Sequence, residues 1–263
     1  MHPFDRDITL QQKGPLSFRG EVSKNWLIND IANGGYVLAL AAKAMQTVSD
    51  KHGTPIITAN YIGPCIPGEI DIELEKIAQS YKFTRFQARL FQDGKEKTRV
   101  WGTFMKENIG TAVERYEKDP PKVAPREECV LMPANSGNTL SQNLEMFLDP
   151  DSAKWMKGEL NHRSDMRGWV RFREERGYDL PAVLLMADSM PPPIFITYGV
   201  FSWVPTIELS VSVRKRPLTS WLKFRLHSCY LTNGIIEEDG EVWDEDGNLA
   251  CICRQIAQVR LSE

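Results

Sequence analysis

Apolar positions follow a helical arrangement in one stretch near the start of the chain. The segment ANGGYVLALAAKAM, residues 32–45, is apolar on every side when wound into a helix, and its one charged residue is Lys43. A helix without a polar face must be enclosed by protein or by lipid. The apolar run at 36–42 is far shorter than the roughly 20 residues that cross a bilayer. The pattern therefore predicts a buried helix that the rest of the fold wraps.

After this helix the apolar spacing changes to a period of two. In PGEIDIELEKI, residues 67–77, aliphatic side chains alternate with acidic ones, which is typical of a half-buried strand. The stretch 83–105 predicts two more strands joined at Asp93-Gly94, a dipeptide suited to a hairpin turn. The first part of the chain is thus expected to form one helix followed by an antiparallel sheet.

The pattern weakens between residues 111 and 176 and then returns. This middle stretch is rich in Pro, Asn and charged residues, and it predicts a connecting region with short helices. YDLPAVLLMADSM, residues 178–190, then predicts a second buried helix with one charge, at Asp188. Strands are predicted after it in TIELSVSV, WLKFRLHSCYL, GIIEEDGEVWDEDG and NLACICRQIAQVRL.

The two ends of the chain follow the same plan. The helical segments at 36–45 and 181–190 have the same length and apolar character, and an Asp-Gly turn precedes the final strand of each half. We interpret the chain as one helix-plus-sheet module written twice, at 1–110 and 177–263, with 111–176 as the connecting region. The alternative is chance similarity between two helix-then-strands segments, but the recurrence of both order and turns favours duplication.

Composition and charge restrict the partners. The chain has 263 residues, of which 42% are hydrophobic and 25% charged, as in an ordinary globular protein. Its formal net charge of -3 gives no general attraction to nucleic acid or to an anionic membrane. We therefore expect no nucleic-acid partner and no membrane insertion, and any polyanionic ligand must be met by a local basic patch.

The cysteines and histidines predict neither disulfides nor a metal site. Five scattered cysteines and an opening segment, MHPFDRDITLQQK, without a basic start or an apolar signal core suggest a cytoplasmic protein with free thiols. Cys251 and Cys253 form a C-x-C pair, but there is no second pair and the four histidines form no ligand spacing. We expect no metal.

Several short segments carry a resemblance to a known family. They are Asn33-Gly34-Gly35 at the first helix start, YIGPCIPGE after it, and ADSM, TIELS and CRQIAQVR in the second half. With the duplicated plan, they resemble the double-hotdog acyl-CoA thioesterases of the thioesterase II group. The resemblance implies an α+β double hotdog, with two tandem modules that each wrap a long central helix in an antiparallel sheet. It implies no cofactor.

The resemblance also implies a catalytic set, namely Asp188, Thr206 and Gln255. A carboxylate in an apolar helix is a plausible base for activating water, because burial raises its proton affinity. The amide of Gln255 and the hydroxyl of Thr206 would orient that water. Backbone N–H groups at the helix start would hold the oxyanion, and the expected oxyanion and substrate-binding segment is Asn33, Gly34, Gly35 and Tyr36.

Each of these residues also has a plainer interpretation. Asp188 can be an exposed carboxylate at a helix end, Gln255 a buried amide satisfied by its neighbours, and Asn33 a helix N-cap. Strict alternation in TIELSVSV places Thr206 with Glu208 and the two serines on the polar face, which is either solvent or a polar cleft. The sequence leaves these alternatives open.

Two further segments are candidates for substrate contact. RKRP contains Arg214, Lys215 and Arg216, which could meet the phosphates of CoA or form a solvated turn. The segment at 191–205 is rich in aromatic residues that could line an acyl tunnel or pack the helix onto the sheet. These aromatic residues are Phe195, Tyr198, Phe201 and Trp203.

The sequence therefore leads to two functional hypotheses. The first is hydrolysis of acyl-CoA thioesters to free acid and CoA at one site between the modules. The second is non-catalytic binding of acyl-CoA or an acyl carrier on the same fold, because a pocket can persist after its chemistry is lost. Assembly into a homo-oligomer is compatible with both.

Overall fold

A continuous antiparallel sheet runs through both halves of the chain. The computed structural model describes residues 1–107, 114–200 and 204–260. The helices are α1 (Pro3–Asp7), α2 (Gly34–Val48), α3 (Leu140–Asn143), α4 (Leu180–Ala187) and α5 (Phe195–Tyr198), with two 3-10 turns at Arg126–Glu128 and Lys154–Lys157.

Sixteen strands are present in the described residues. Those of the first half are β1 (Gln11–Gly14), β2 (Ser17–Val22), β3 (Leu27–Ile28), β4 (Ile31–Ala32), β5 (Gly53–Tyr61), β6 (Gly68–Gln79), β7 (Phe83–Gln92) and β8 (Lys95–Met105). Those of the second half are β9 (Val130–Leu131), β10 (Leu144–Leu148), β11 (Ser164–Phe172), β12 (Thr206–Val213), β13 (Leu222–Ser228), β14 (Leu231–Thr232), β15 (Ile235–Asp244) and β16 (Leu249–Gln258).

The two halves join strand to strand. The main sheet has the order β1-β2-β6-β7-β8-β5-β12-β16-β15-β13-β11-β10-β9, so β5 of the first half pairs with β12 of the second. In this pairing Ala59 lies opposite Leu209 and Ile57 opposite Val211, and all four side chains are fully buried. The face that carries them, called the inner face below, is covered by α2 and α4.

The first helix is the buried helix that the sequence predicts. Asn33 caps α2, because its side-chain Oδ1 accepts a hydrogen bond from the N–H of Tyr36 at 3.0 Å. Nearly every side chain from Gly35 to Met45 is buried, whereas Lys43 is exposed. The helix therefore lies inside the core and turns its one charged residue to the surface.

The second helix is shorter than the pattern predicts. The segment 178–190 contains α4, which has 8 residues, against 15 in α2. Asp179 caps its start, and the chain leaves the helix at Asp188, three residues before Pro191-Pro192-Pro193. Residues before and within a proline run are biased away from helical geometry, so the helix ends early. The second half therefore has a short helix rather than a long central one.

The segment expected to connect the halves contains short helices, as predicted, and also contributes strands. Within 111–176, β9, β10 and β11 extend the second half of the sheet, and β11 pairs with β13 along its length. The inward-facing residues of β10 and β11 are buried, for example Met146 and Val170. These strands are short and set among Pro- and Asn-rich loops, which hides their alternation in the sequence.

None of the helices within the described part of the chain is long and apolar enough to span a membrane.

Candidate active site

Asp188 of the second half docks on the helix start of the first. The carboxylate Oδ2 accepts hydrogen bonds from the backbone N–H of Gly35 at 2.7 Å and from Nδ2 of Asn33 at 2.9 Å. The same Asn33 amide donates to the backbone carbonyl of Asp188 at 2.7 Å. A negative charge is favoured at a helix N-terminus, where unpaired N–H groups and the helix dipole attract it. The end of α4 is thereby tied to the start of α2.

Asn33 performs two tasks at this junction. Its Oδ1 caps the N–H of Tyr36, while its Nδ2 binds Asp188. The residue is 4% exposed, so both ends of the amide are satisfied inside the protein. The N-cap interpretation of Asn33 therefore holds, and the contact with Asp188 is a second role that the sequence did not separate from it.

Burial sets the proton affinity of the Asp188 carboxyl group. Desolvation raises the pKa of Asp188 to about 6, and the hydrogen bonds from Gly35, Asn33 and Gly34 limit that rise. A carboxylate with this pKa is ionised at neutral pH yet holds a proton more tightly than a solvated one. Such a group has the protonation behaviour of a general base.

Neighbouring atoms approach the backbone of Gly34 and Gly35 so closely that neither position has room for a side chain. A Cβ atom on Gly35 would lie 2.7 Å from the carbonyl oxygen of Leu184 and 2.9 Å from Cβ of Asp188. On Gly34 it would lie 2.8 Å from the Tyr61 hydroxyl oxygen and 2.9 Å from Oδ2 of Asp188. The Gly-Gly pair therefore lets the second half approach the N-terminal backbone of α2.

Tyr36 follows the glycines but directs its side chain away from them. Its ring is fully buried beside Trp26, and its hydroxyl donates to the carbonyl oxygen of Asp7 at 2.8 Å and accepts from the N–H of Ser23 at 3.1 Å. Its backbone N–H is occupied by Asn33. Among the described residues, the expected oxyanion and substrate-binding segment therefore approaches Asp188 through Asn33, Gly34 and Gly35, and not through the Tyr36 side chain.

Gln255 lies on the inner face under the end of α4. On β16 it shares that face with Cys253 and Ala257, which are buried. The Cys253 thiol lies 3.6 Å from the backbone carbonyl oxygen of Ala187, the last residue of α4. Gln255, one alternation further along β16, is therefore next to the point where Asp188 leaves the helix.

A β-bulge decides the orientation of Thr206. Thr206 lies opposite Ala257 while Glu208 lies opposite Ile256, so Ile207 is an extra residue in β12. A bulge shifts the alternation by one position. Thr206 consequently joins Ala257 on the inner face, and Ile207 is 41% exposed although it belongs to the apolar set of the sequence pattern. Strict alternation would have placed Thr206 with Glu208 on the opposite face.

The structure adds two polar residues to this site, Tyr61 and Glu238. Within the described residues, the Tyr61 hydroxyl and Oε1 of Glu238 are buried and have no hydrogen-bond partner. Burial raises the pKa of both groups above its usual value, and the nearby charge of Asp188 raises both pKa values further. Tyr61 stands in the segment YIGPCIPGE, whereas Glu238 stands among ordinary acidic residues and gave no sequence signal.

Four adjacent strands each place one polar side chain on the inner face, and the charge of Asp188 acts on the outermost two, Tyr61 and Glu238. In the order β5-β12-β16-β15 these are Tyr61, Thr206, Gln255 and Glu238. Neighbouring strands are about 4.8 Å apart, so the row spans roughly 14 Å. The hydroxyl, amide and carboxyl groups of this row, together with the Asp188 carboxylate, can position a water molecule and a carbonyl group.

The basic run Arg214, Lys215 and Arg216 lies away from this row. It follows the far end of β12, five residues beyond the Leu209 position that faces Gln255, or roughly 17 Å along the strand. Lys215 forms an ion pair with Glu114 at 2.7 Å. The run is therefore placed at the opposite end of the sheet from Thr206.

A surface groove lies closer to the row. It has a volume of about 620 Å³ and is bounded by the ends of β11 and β13; His227 and Arg225 lie opposite Asp239 and Glu241 on the outer face of the sheet, and Ile194 borders the inner face. Arg225 in the groove is paired with Asp165 at 2.8 Å, and Arg163 makes no ion pair within the described ranges. The groove residues are Asn161, His162, Arg163, Ser164, Asp165, Ile194, Thr197, Tyr198, Arg225, His227, Ser228, Cys229, Tyr230 and Leu231.

The aromatic segment before β12 is described only in part. Phe195 packs against Trp155 with ring centroids 5.6 Å apart, and Tyr198 lines the groove. Phe201 and Trp203 lie outside the described residues. Ile194 contacts both regions, because it lines the groove and packs with Ile236 and Ala257 on the inner face.

In the described part of the chain, no three His, Cys, Asp or Glu side chains are grouped so as to hold a metal ion.

Solved structures with the same fold cover nearly the whole chain. A putative thioesterase II from Thermobifida fusca YX has 24% identity and a TM-score of 0.90, covering 99% of this chain and 98% of that one. A conserved protein of unknown function with a hot dog fold from Alicyclobacillus acidocaldarius has 21% identity and a TM-score of 0.90, with 100% of both chains covered. An acyl-CoA thioesterase II from Mycobacterium marinum has 14% identity and a TM-score of 0.77, with 99% of both chains covered.

These likenesses show the fold, and family models show the relationship in sequence. None of the curated proteins compared with the chain matches it. The model of the acyl-CoA thioesterase N-terminal domain matches residues 22–105, and that of the acyl-CoA thioesterase C-terminal domain matches residues 126–259. The second match begins before β9 and so includes the strands of the middle segment. Because the two models account for both halves of the sheet, the chain belongs to the acyl-CoA thioesterase family.

Proposed function

We propose that this protein hydrolyses acyl-CoA thioesters to a carboxylic acid and CoA, on a double hotdog with one site per chain. The observation that carries the proposal is the Asp188 carboxylate. It is held at the Gly34-Gly35 helix start, its pKa is raised to about 6 by burial, and α4, which it follows, packs on the strands that carry Thr206 and Gln255. A base with nearby polar groups to orient water is what thioester hydrolysis requires.

Asp188 is the general base in this mechanism. It accepts a proton from a water molecule that the Gln255 amide and the Thr206 hydroxyl orient. The water oxygen then attacks the thioester carbonyl carbon, and the carbonyl π electrons move to oxygen. Collapse of the tetrahedral intermediate breaks the C–S bond and releases the CoA thiolate, which takes the proton from Asp188. The acid leaves and the carboxylate is restored.

The N–H groups at the Gly34-Gly35 helix start bind Asp188 rather than the oxyanion in this proposal. Its N–H groups were predicted to hold the oxyanion, but the N–H of Gly35 donates to Asp188. The helix start therefore holds the base. The Tyr61 hydroxyl is a free donor beside it, since it is buried without a partner in the described chain and its raised pKa keeps it protonated. In this proposal Tyr61 donates to the developing oxyanion.

The charged end of CoA lies in the surface groove rather than at Arg214–Arg216. The groove carries Arg163, Arg225 and two histidines around one carboxylate, Asp165, on the outer side of the sheet at the ends of β11 and β13. Phosphates are attracted to such a local excess of positive charge. The thioester would then reach Asp188 past Ile194, which borders both regions.

The proposed cellular compartment is the cytoplasm, as the cysteine content of the sequence suggests. The five cysteines are free thiols, three of them buried. We place the protein in the cytoplasm, where thiols stay reduced, and keep assembly into a homo-oligomer as part of the proposal.

The test measures thiol release from short-, medium-, long-chain and aromatic acyl-CoAs. We expect turnover by the wild type and a loss of roughly 100- to 10,000-fold in kcat for Asp188→Asn. Asparagine can still accept the hydrogen bond from Gly35, so the fold should persist. The matched control is Asp239→Asn, because Asp239 lies on the other face of β15 and pairs with Arg254; its kcat should be unchanged.

Two outcomes would contradict the proposal. Full activity in Asp188→Asn, with the unfolding temperature unchanged, would remove Asp188 from the mechanism. Binding of acyl-CoA without release of thiol across the whole panel would instead support the non-catalytic binding protein.

A further inference from the structure

Glu238 is a buried acid that the mechanism above does not use. It is 5% exposed, and its Oε1 has no hydrogen-bond partner in the part of the chain that the structure describes. An unpaired buried polar group costs about 1–3 kcal/mol, so proteins satisfy nearly all of them. An unpartnered carboxyl oxygen beside a candidate active site therefore points to a ligand that satisfies it.

The register places Glu238 next to the proposed catalytic residues. Its Cα partner on β16 is Gln255, so the two side chains stand side by side on the inner face. The titratable groups that act on it are Asp188 from the end of α4 and Glu237 on its own strand, and its charge in turn acts on the Cys253 thiol of β16. Within the described ranges Glu238 forms no ion pair, and both carboxyl groups acting on it disfavour its ionisation.

Other glutamates on the same strand are paired. The Glu237 carboxylate accepts from the backbone N–H groups of Cys229 at 2.7 Å and Tyr230 at 3.1 Å. Glu241 is 8% exposed but receives Lys118 at 2.7 Å and the Trp243 indole N–H at 3.2 Å. Burial on β15 therefore does not by itself leave a carboxyl group without a partner. The difference is that Glu238 faces Asp188 and Gln255.

Its environment makes Glu238 a hydrogen-bond donor. Burial and the charge of Asp188 raise the pKa of Glu238 to about 8, so the group is a neutral acid at pH 7. A neutral carboxylic acid can donate a hydrogen bond, and active sites use this to stabilise developing negative charge. An ionised carboxylate in the same place would repel an oxyanion.

We propose that Glu238 is a further catalytic residue, whose protonated carboxyl group donates a hydrogen bond to the thioester carbonyl oxygen as the tetrahedral intermediate forms. No proton is transferred in this step; the O–H of Glu238 stays bonded to Glu238 while the oxyanion accepts. The inference rests on the proposed function, because it requires a thioester at Asp188.

The experiment compares Glu238→Ala, Glu238→Gln and Glu241→Gln in the thiol-release assay across pH 5 to 10. Loss of one oxyanion donor typically costs on the order of 100-fold in kcat. We expect that loss in Glu238→Ala with a smaller change in KM. Glu238→Gln keeps an N–H donor and should retain activity within about tenfold. Glu241→Gln, equally buried but on the opposite face, should match the wild type.

The pH profile separates a catalytic role from a structural one. In the wild type, kcat/KM should fall on the alkaline side as Glu238 loses its proton and with it the donated hydrogen bond. Glutamine does not ionise, so Glu238→Gln should lack this alkaline limb, whereas Glu241→Gln should keep it.

An unchanged alkaline limb in Glu238→Gln, or wild-type kcat in a folded Glu238→Ala, would overturn the role of Glu238 while leaving Asp188 catalysis intact. No turnover by the wild type would overturn the proposed function and this inference together. If Glu238→Ala fails to fold, the profile of Glu238→Gln alone decides between the outcomes.

Discussion

The two core helices occupy equivalent places in the two halves but contribute opposite groups to the site. The first helix, α2, has 15 residues, and it meets the site with its N-terminal backbone, where Gly34 and Gly35 leave donors accessible. The second helix, α4, has 8 residues, and it meets the site with its C-terminal end, where Asp188 supplies a carboxylate. The first half supplies the positive end of a helix dipole, and the second half supplies a negative charge.

This difference supports the proposal of one site per chain rather than one in each half. When the two helical segments are aligned in sequence, Lys43 stands opposite Asp188, and Lys43 is exposed. The inner-face residues Thr206, Gln255 and Glu238 all belong to the second half, and only Tyr61 comes from the first. The first half therefore holds the Asp188 carboxylate of the second half through Asn33 and Gly35.

The strongest way to break this arrangement is to separate the two helices. In Gly35→Ala the added methyl group would meet the Leu184 carbonyl oxygen and Asp188 Cβ, both closer than 3 Å. We expect a loss of about 1–3 kcal/mol in the free energy of unfolding from overpacking. A shift of the base by about 1 Å should also lower kcat on the order of 100-fold.

The measurement pairs chemical denaturation with the thiol-release assay. The matched control is Gly94→Ala in the β7–β8 turn, where the structure shows open space for a Cβ atom but a positive φ of 69°. That variant should lose stability through backbone strain and keep kcat. Wild-type kcat in Gly35→Ala would show that the close contact of α2 and α4 does not position Asp188.

A second test changes the donors that the first half gives to the base. Asp188 must be ionised to accept a proton, so kcat/KM should fall about tenfold per pH unit below its pKa of about 6. In Asn33→Ala the carboxylate loses the amide donor, and the pKa of Asp188 should rise because that hydrogen bond favours the charged form. The acid limb of the profile should move to higher pH.

Asn33→Ala also removes the helix cap, so its profile is compared with that of Asn33→Ser. Serine can cap the N–H of Tyr36 but has no amide to give to Asp188. The two variants should show the same displacement of the acid limb and different unfolding temperatures. An acid limb at the wild-type position in both would separate Asn33 from the protonation of Asp188.

The sequence predicted those features that depend on local pattern. The buried helix at 36–45 and the strands around Asp93-Gly94 follow from spacing alone, and the structure contains both. The face of Thr206 could not be predicted, because the bulge at Ile207 arises from the pairing of β12 with β16. One extra residue in a strand reverses every side chain beyond it.

Contacts between distant segments account for the rest of what the sequence could not provide. In the sequence GIIEEDGEVWDEDG, Glu238 looks like one of several surface acidic residues. It is buried because it lies opposite Gln255 under α4. Tyr61 becomes a buried donor because β5 joins the sheet of the other half beside β12. Similarly, β10 and β11 form strands because they pair with distant parts of the chain. The loop-rich sequence around them does not show this pairing.

The smallest expected effect concerns the charged end of the substrate. If the groove binds the CoA phosphates, Arg163→Ala should raise KM for acyl-CoA about fivefold at low salt with kcat unchanged, since an exposed charge pair contributes up to about 1 kcal/mol. Lys215→Ala is the matched control from the basic run at the far end of β12, and it should leave KM unchanged. An acyl-pantetheine thioester, which lacks the phosphates, should show no difference among the three proteins. The reverse result, with KM raised by Lys215→Ala and not by Arg163→Ala, would move the phosphates to the far end of the sheet and require the substrate to span roughly 17 Å to Gln255.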